Sequence, residues 1–516
     1  MKRIGIDFGT TNTTLAYYDE EQGQICGYRF NNESEYISSA IAYHKTKNEY
    51  CIAADAQAVR DDDNYYFYEY YKIGFVRSGN EIANTAHGKT YFDLVKDYLH
   101  RLIEVYKQDN LLGESLLDVI VLAVPNTFLS NSELSINSKL ENYLKTEAHV
   151  PLLFSEPACS SAYYSKQIEP EFSGDLIVVD YGGGTLDVSI CRITRENKEG
   201  NFLPAISIVQ QYVMDSDKII SNGAGIAFCI EMVKNLTGLK EDDTDFLPVI
   251  YEFDKILSCR ETINKGLTEY YANNEDDFAD KELTIRLNGQ NRQASCSLFN
   301  RIFNKINKPT LDEALEKTLG AFLSGELNNK SRTFRVITVG GFSNLLCVNK
   351  IIAEKLGTGL GRLRQDKRLG QLTKTDRYLA VAYGAALYAS KEVVKSSEIS
   401  YELSICYYDG KENVVVLIPE GSQENEYTQI YWLNAPYYIM MGKDATIKLQ
   451  MHSKNGLEPL DILLDISDSC LNDSTIYIGV RVADNKPILC VRNNLTKIVD
   501  EFDLSNYVKD FANRRL

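Results

Sequence analysis

Ile177-Val178-Val179-Asp180-Tyr181-Gly182-Gly183-Gly184-Thr185 is an apolar run that ends in an aspartate, an aromatic residue and a glycine stretch before a hydroxyl. Leu186-Asp187-Val188-Ser189-Ile190 follows and is strand-like again, so the whole stretch reads as a β-hairpin with a glycine tip. The same plan stands near the start: Ile4-Gly5-Ile6-Asp7-Phe8-Gly9-Thr10-Thr11, and then Thr13-Thr14-Leu15-Ala16-Tyr17-Tyr18. A strand, not a helix, follows each set of glycines, which separates both motifs from a P-loop or a Rossmann turn. Two hairpins on one plan predict an α/β protein with two similar half-domains facing each other across a cleft.

Working outward, Asp118 to Val124 is an apolar strand ending at Pro125, and Pro151-Leu152-Leu153-Phe154 leads into Glu156-Pro157 and small residues to Ala162. A third glycine turn, Val339-Gly340-Gly341-Phe342-Ser343, follows a helix predicted from a capping box at Thr310 and Glu313, with Leu311, Leu315 and Leu319 on one face. Ala380 to Ala386 reads as a helix of small residues, with Gly384 in it, able to pack very close to a neighbour. From Ser396 the texture changes to period two: Tyr401, Leu403, Ile405 and Tyr407; Ile447, Leu449 and Met451; Ile476, Ile478, Val480 and Val482. Turn signals at Asp409-Gly410 and Asn455-Gly456 complete the pattern of a small all-β sandwich. The expected organisation is residues 1–390, a polar linker at 391–400 and a β domain at 401–516, although length alone suggests about three domains.

Composition sets limits. Of 516 residues, 44% are hydrophobic and 25% charged, a globular balance. A net charge of −17 argues against a nucleic-acid or anionic-membrane surface. Apolar runs are too short for a membrane span, and Met1-Lys2-Arg3 passes straight into the first strand with no signal core, so the expectation is a cytoplasmic, monomeric chain with neither nucleic-acid nor membrane partner. The eleven cysteines stand singly without a Cys-x-x-Cys, which predicts reduced thiols rather than a disulfide framework or zinc site. Cys159 and His149 read as a buried small residue and a bystander, not as a thiol pair.

The chemistry lies at the turns. Thr10, Thr11 and Asn12 offer hydroxyls and backbone N–H groups, and Gly182, Gly183 and Gly184 let backbone approach phosphate oxygens that a Cβ would push away. Asp7 and Asp180, each where strand meets turn, can hold Mg²⁺ through water. Lys72, after the aromatic run Tyr65 to Tyr71, is the obvious cation of the first half, and taken by itself it reads as a solvated lysine capping an aromatic cluster.

Together with Glu156-Pro157-Ala158 and Val339-Gly340-Gly341, these motifs resemble the actin-like (ribonuclease-H-like) ATPase domain of DnaK-type heat-shock chaperones over about residues 1–390. The resemblance implies ATP or ADP between two lobes, with Mg²⁺ near Asp7 and Asp180 and K⁺ as a further candidate cation. It implies catalytic roles for Lys72, Glu156, Asp180 and Thr185, with Asp187 helping to hold the site. Nucleotide contacts are implied for Gly9, Thr10, Thr11, Asn12, Gly182, Gly183, Gly184, Thr185, Lys265, Thr268, Gly340, Gly341, Phe342 and Asn344. The adenosine side departs from the family pattern: Asn264 replaces a basic residue, and Phe342, Ser343 and Asn344 stand where Ser-Thr and a stacking arginine are usual, leaving Phe342 or Tyr378 to stack. Asn222-Gly223-Ala224-Gly225 stands in place of a Gly-Gly pair and reads equally as a plain helix entry. The resemblance also implies a peptide or unfolded client and a J-domain or nucleotide-exchange partner. Two departures bear on these: Val393-Val394 is the only echo of the hydrophobic interdomain linker, and the sequence is short for a full helical lid. Two alternatives stay open: a sugar or carboxylate kinase of the same fold, which needs an aspartate base beside a bound hydroxyl and for which no second-lobe carboxylate stands in a kinase-like context, and a non-enzymatic nucleotide-gated interaction or filament-forming protein.

Overall fold

The structure, a computed structural model, describes residues 2–512 apart from 32–33, 79–80, 86, 126–135, 199–200, 214–224, 241, 244, 259–260, 273–280, 324–332, 397–398, 400, 409–411, 423, 428, 435, 439–444, 454–457, 471–474 and 484–485. The first sheet contains β1 (Arg3–Phe8), β2 (Asn12–Asp19), β3 (Gln24–Gly27), β4 (Leu117–Val124) and β5 (Ala148–Ser155), in the order β3-β2-β1-β4-β5. β1 and β2 form the expected antiparallel hairpin, with Asp7 opposite Thr14, and β4 runs parallel to β1 on its other side, with Asp7 opposite Ala123. The near-continuous apolar run of β4 fits a parallel strand covered on both faces.

The second sheet contains β6 (Gly174–Tyr181), β7 (Leu186–Lys198), β8 (Asn201–Val213), β9 (Phe334–Val339) and β10 (Val394–Lys395), in the order β9-β6-β7-β8-β10. β6 and β7 are again an antiparallel hairpin, with Asp180 opposite Asp187, and β9 runs parallel to β6, with Asp180 opposite Val339. Each sheet thus has a hairpin whose first strand is flanked by a parallel strand, and each places an aspartate at the end of that first strand.

The helix Lys374–Ala389 holds this arrangement at short range. It is longer than the small-residue segment 380–386 suggested, because Thr373 and Asp376 form a capping box that starts it at Lys374. A Cβ on Gly384 would lie 1.7 Å from the Cys159 carbonyl oxygen, in the helix Glu156–Tyr163, and one on Gly5 of β1 would lie 2.2 Å from the Ala386 nitrogen. Backbone therefore meets backbone on both sides of the helix, which a side chain at either glycine would prevent.

Two expectations need correction. The helix expected to start at a Thr310 cap spans Lys308–Leu323, so Thr310 lies inside it; the Leu311 N–H donates to the Asn307 carbonyl, and Pro309 suits the first turn. Leu311, Leu315 and Leu319 are buried as the periodicity requires. Residues 391–396 of the expected linker are not a loose polar connector: Val393 is 1% exposed, Val394 and Lys395 pair with Ala205 and Ile206 of β8, and Lys166 pairs with Glu392 at 2.7 Å. At its far end Ile399 joins the apolar cluster of the C-terminal region.

That region has two antiparallel sheets. One orders Glu412–Ile418, Glu402–Tyr408, Thr446–His452 and Leu460–Asp465; the other orders Tyr431–Trp432, Thr475–Ala483, Lys486–Asn493 and Val499–Asp503, with Tyr437–Tyr438 also on Thr475–Ala483. Leu403, Ile405, Leu449, Met451, Ile478 and Val480 from both sheets share one cluster. The turns at Asp409-Gly410 and Asn455-Gly456, and Asn222 to Ala224, lie outside the described residues. Among the described residues no helix is long and apolar enough to cross a membrane, and the described cysteines are free thiols.

The close approach at Gly384 gives a direct test. Gly384→Ala should destabilise the protein by about 3 kcal/mol or more, because neither backbone can yield without moving its helix. Gly361→Ala, at a position with open space around it, should be nearly neutral. Urea unfolding midpoints of the two variants check this.

Candidate functional site

Both hairpin tips are closed by the same bond. The Gly9 N–H donates to the Asn12 carbonyl at 3.1 Å, and the Gly182 N–H donates to the Thr185 carbonyl at 3.0 Å. The tips face one another: a Cβ on Gly184 would lie 2.5 Å from Thr10 Oγ1, and one on Gly183 would lie 3.2 Å from Thr11 Oγ1. Gly340 closes a third side in the left-handed region, φ +82°, where a Cβ would lie 2.7 Å from Asp180 Oδ1. Backbone N–H groups and small hydroxyls thus surround a cavity free of bulky side chains at its floor, a surface suited to phosphate oxygens.

The cavity is lined by Asp7, Gly9, Thr10, Thr11, Asn12, Lys72, Glu156, Asp180, Gly182, Gly183, Gly184, Thr185, Gly340, Gly341 and Phe342. Lys265, Thr268 and Asn344 are not among its lining. The helix Glu261–Ala272 leaves Lys265 exposed, and the Thr268 hydroxyl donates back to the Asn264 carbonyl at 2.7 Å. Asn264 itself donates from Nδ2 to the Asn344 carbonyl at 2.9 Å and accepts from the Leu346 N–H at 3.0 Å. Phe342 packs against Tyr181, ring centroids 4.8 Å apart, and Phe228, 5.6 Å apart.

Lys72 is 6% exposed, so it is not a solvated cap on the tyrosine run. Tyr70, at φ +59°, turns the chain into the helix Tyr71–Ser78, and Lys72 Nζ then lies 3.2 Å from Glu156 Oε1. Glu156 opens its own helix directly after β5, fixed there by Ser155, whose hydroxyl accepts the Ala158 N–H at 3.3 Å, and by Pro157 in the first turn.

This buried lysine sits among three buried carboxyls, Glu156, Asp180 and Asp187, and the half-buried Asp7. Burial, then the Glu156 charge, pushes Asp187 up to about 8 and Asp7 up to about 7, with Lys72 pulling each the other way. Asp180 is also raised, by burial first and then by Glu156, Asp187 and Asp7. Asp187 Oδ2 is buried without a hydrogen-bond partner. Such a surplus of buried acceptor oxygens fits a divalent cation. Among the described residues no three carboxyl, imidazole or thiol groups stand close enough to bind an ion directly, so the fit is to Mg²⁺ held through its water shell.

Sequence reading misses several lining residues: Thr14, Tyr36, Asp254, Arg377 and Val381. Asp254 comes from the helix Phe246–Ser258 and accepts from the Tyr70 hydroxyl at 3.5 Å across the cavity. It is a cavity carboxylate that the sequence did not disclose. Cys159 is fully buried, and burial pushes its thiol well up, which leaves it an inert packing group.

The raised carboxyls predict a pH dependence. The folded protein holds protons on Asp187 and Asp7 that the unfolded chain releases near the ordinary carboxylate value of about 4. Their contribution to stability is therefore complete below about pH 4 and is lost as pH rises through the folded values, at about 1.4 kcal/mol per pKa unit. Asp187→Asn should accordingly gain on the ligand-free wild type as pH rises, the difference levelling off above about pH 8. Melting temperatures of the two proteins across pH 5 to 9 check this.

No protein-family model matches the chain. Similarity appears with individual chaperones: 26% identity over 222 residues with the chaperone protein DnaK of Buchnera aphidicola, 39% of this chain and 34% of that protein. The HscA homolog of Rickettsia typhi is 28% identical over 215 residues and HscA of Photorhabdus laumondii 26% over 216, each match covering 37% of this chain and 33% of the relative. The chain thus spans about a third of the length of the curated relatives it matches. The resemblance to DnaK-type chaperones is thus matched by comparison: over about two fifths of its length the chain is similar to DnaK- and HscA-type chaperones.

Proposed function

We propose that the chain is a slow ATP hydrolase of chaperone type, with ATP–Mg²⁺ bound between the two sheets, read as the lobes of one duplicated actin-like domain over residues 1–390. One observation carries this: two hairpin tips with the same closing hydrogen bond face each other beside a buried Lys72–Glu156 pair. Thr10, Thr11 and the 182–185 tip hold the phosphates through N–H and O–H donors. Lys72 and Glu156 orient the attacking water, the lysine as donor and the carboxylate as acceptor, in line with the bond that breaks. Asp7 and Asp180 accept from the water shell of Mg²⁺, whose chemistry when bound is to neutralise charge on the phosphate oxygens.

Residues 401–516 are proposed to hold a peptide or unfolded client. The docking of Val393 and β10 on the second sheet supports some coupling of that region to the nucleotide site, more than the polar look of the linker suggested. A J-domain or exchange partner follows only from the kinship. A kinase of the same fold is the second reading, favoured by Asp254 in the cavity wall. Phosphate release from ATP with no acceptor present supports the hydrolase; turnover only with a sugar or carboxylate acceptor supports the kinase.

Lys72→Ala should lower kcat by about 100-fold or more, because an interaction formed with the water matters chiefly in the transition state. ATP affinity should change by less than about threefold, whereas Thr185→Ala should weaken both. Single-turnover hydrolysis and calorimetric titration separate the two effects. A Lys72→Ala protein hydrolysing ATP at the wild-type rate would assign Lys72 a structural role.

A further inference from the structure

With phosphates at the hairpin tips, the nucleoside must extend along the remaining wall of the same cavity, where Tyr36, Phe342, Arg377, Tyr378 and Val381 stand. Tyr36 and Tyr378 meet edge to face, centroids 5.3 Å apart, and the lack of a side chain at Gly341 makes room for the Tyr378 ring. Arg377 comes from the first turn of the helix Lys374–Ala389, with a guanidinium nitrogen 3.5 Å from Asn344 Oδ1. These groups offer ring faces, a guanidinium plane and aliphatic surface. The group best able to read a base edge, the Asn264 carboxamide, is engaged at both its ends by Asn344 and Leu346, and the Thr268 hydroxyl is engaged by its own helix. The Tyr378 hydroxyl is buried without a hydrogen-bond partner. A phenol can both donate and accept, so it meets a 6-oxo or a 6-amino purine equally.

We propose that this chain holds its nucleotide base by contact with the faces of Arg377 and the Tyr36–Tyr378 wall, and so accepts purine nucleoside triphosphates without distinguishing adenine from guanine. The proposal rests on the phosphate-site reading above and specifies its substrate class. A site that hydrogen-bonds a substrate edge rejects the wrong partner by about 10⁴-fold or more, whereas apolar contact alone discriminates by about 10- to 200-fold, and mainly by size. Stacking tolerates any base of sufficient face.

Calorimetric titration with Mg²⁺ and ATP, GTP, UTP or inorganic tripolyphosphate tests it. ATP and GTP should bind within about threefold of each other, and UTP about tenfold more weakly. Tyr378→Ala and Arg377→Ala should each weaken ATP and GTP alike by about tenfold and leave tripolyphosphate unchanged, while Tyr378→Phe keeps purine binding. Melting curves confirm that each variant is folded, and either alanine variant suffices if the other is not. A preference for one purine over the other of about tenfold or more, or unaltered purine affinity in the alanine variants, overturns the proposal. Tripolyphosphate binding as tightly as ATP overturns it while leaving the phosphate site standing; no binding of either to the wild type removes both.

Discussion

Everything at the cavity depends on a close contact made without side chains. The helix Lys374–Ala389 touches β1 at Gly5 and the helix Glu156–Tyr163 at Gly384, so the strand that delivers Asp7 and the helix that delivers Glu156 are fixed to a common rod. Interiors packed at crystal-like density transmit displacement rather than absorb it. The separation of Asp7 and Glu156 is thus set by backbone geometry, and the Lys72 contact is made on a framework already in place.

The charges at the cavity are the inverse of what favours a stable fold. A buried ion pair offsets its desolvation only with good geometry and added hydrogen bonds. Lys72 and Glu156 meet, but burial first and then the Glu156 charge push Asp7, Asp180 and Asp187 above the ordinary carboxylate range, and the one lysine pulls the other way without offsetting it. An arrangement with excess buried carboxyl and an unsatisfied Asp187 oxygen is costly to the empty protein and favourable once cations arrive. Destabilisation of this kind is where function outweighs packing.

What could be read in the sequence was local and periodic. The two hairpins, the parallel strand Asp118 to Val124 and the buried leucine stripe 311, 315 and 319 all declare themselves by spacing. The wall residues did not, because Tyr36, Asp254 and Arg377 lie in unrelated segments and meet only through the tertiary fold. Lys265 and Thr268 sit in a recognisable helix, but motif identity does not fix which way the helix turns its side chains. Thr310 and Glu313 matched a capping pattern by spacing alone, while Pro309 and Asn307 set the actual helix start. The stretch 391–400 misled through its polar composition: two neighbouring valines were enough, one for a core position and one for a strand.

That short strand has a further consequence. β8 would otherwise end the second sheet with unpaired N–H and C=O groups, the usual template for a stray strand from another molecule. β10 covers part of this edge with only two residues, and the outer position is an exposed lysine, Lys395. A short terminal strand and a charge placed on it are both ways in which natural sheets resist edge-to-edge aggregation. The connector to the C-terminal sheets therefore also guards the solubility of the sheet it leaves, and a fragment cut at residue 390 would bare that edge along with the seat of Val393.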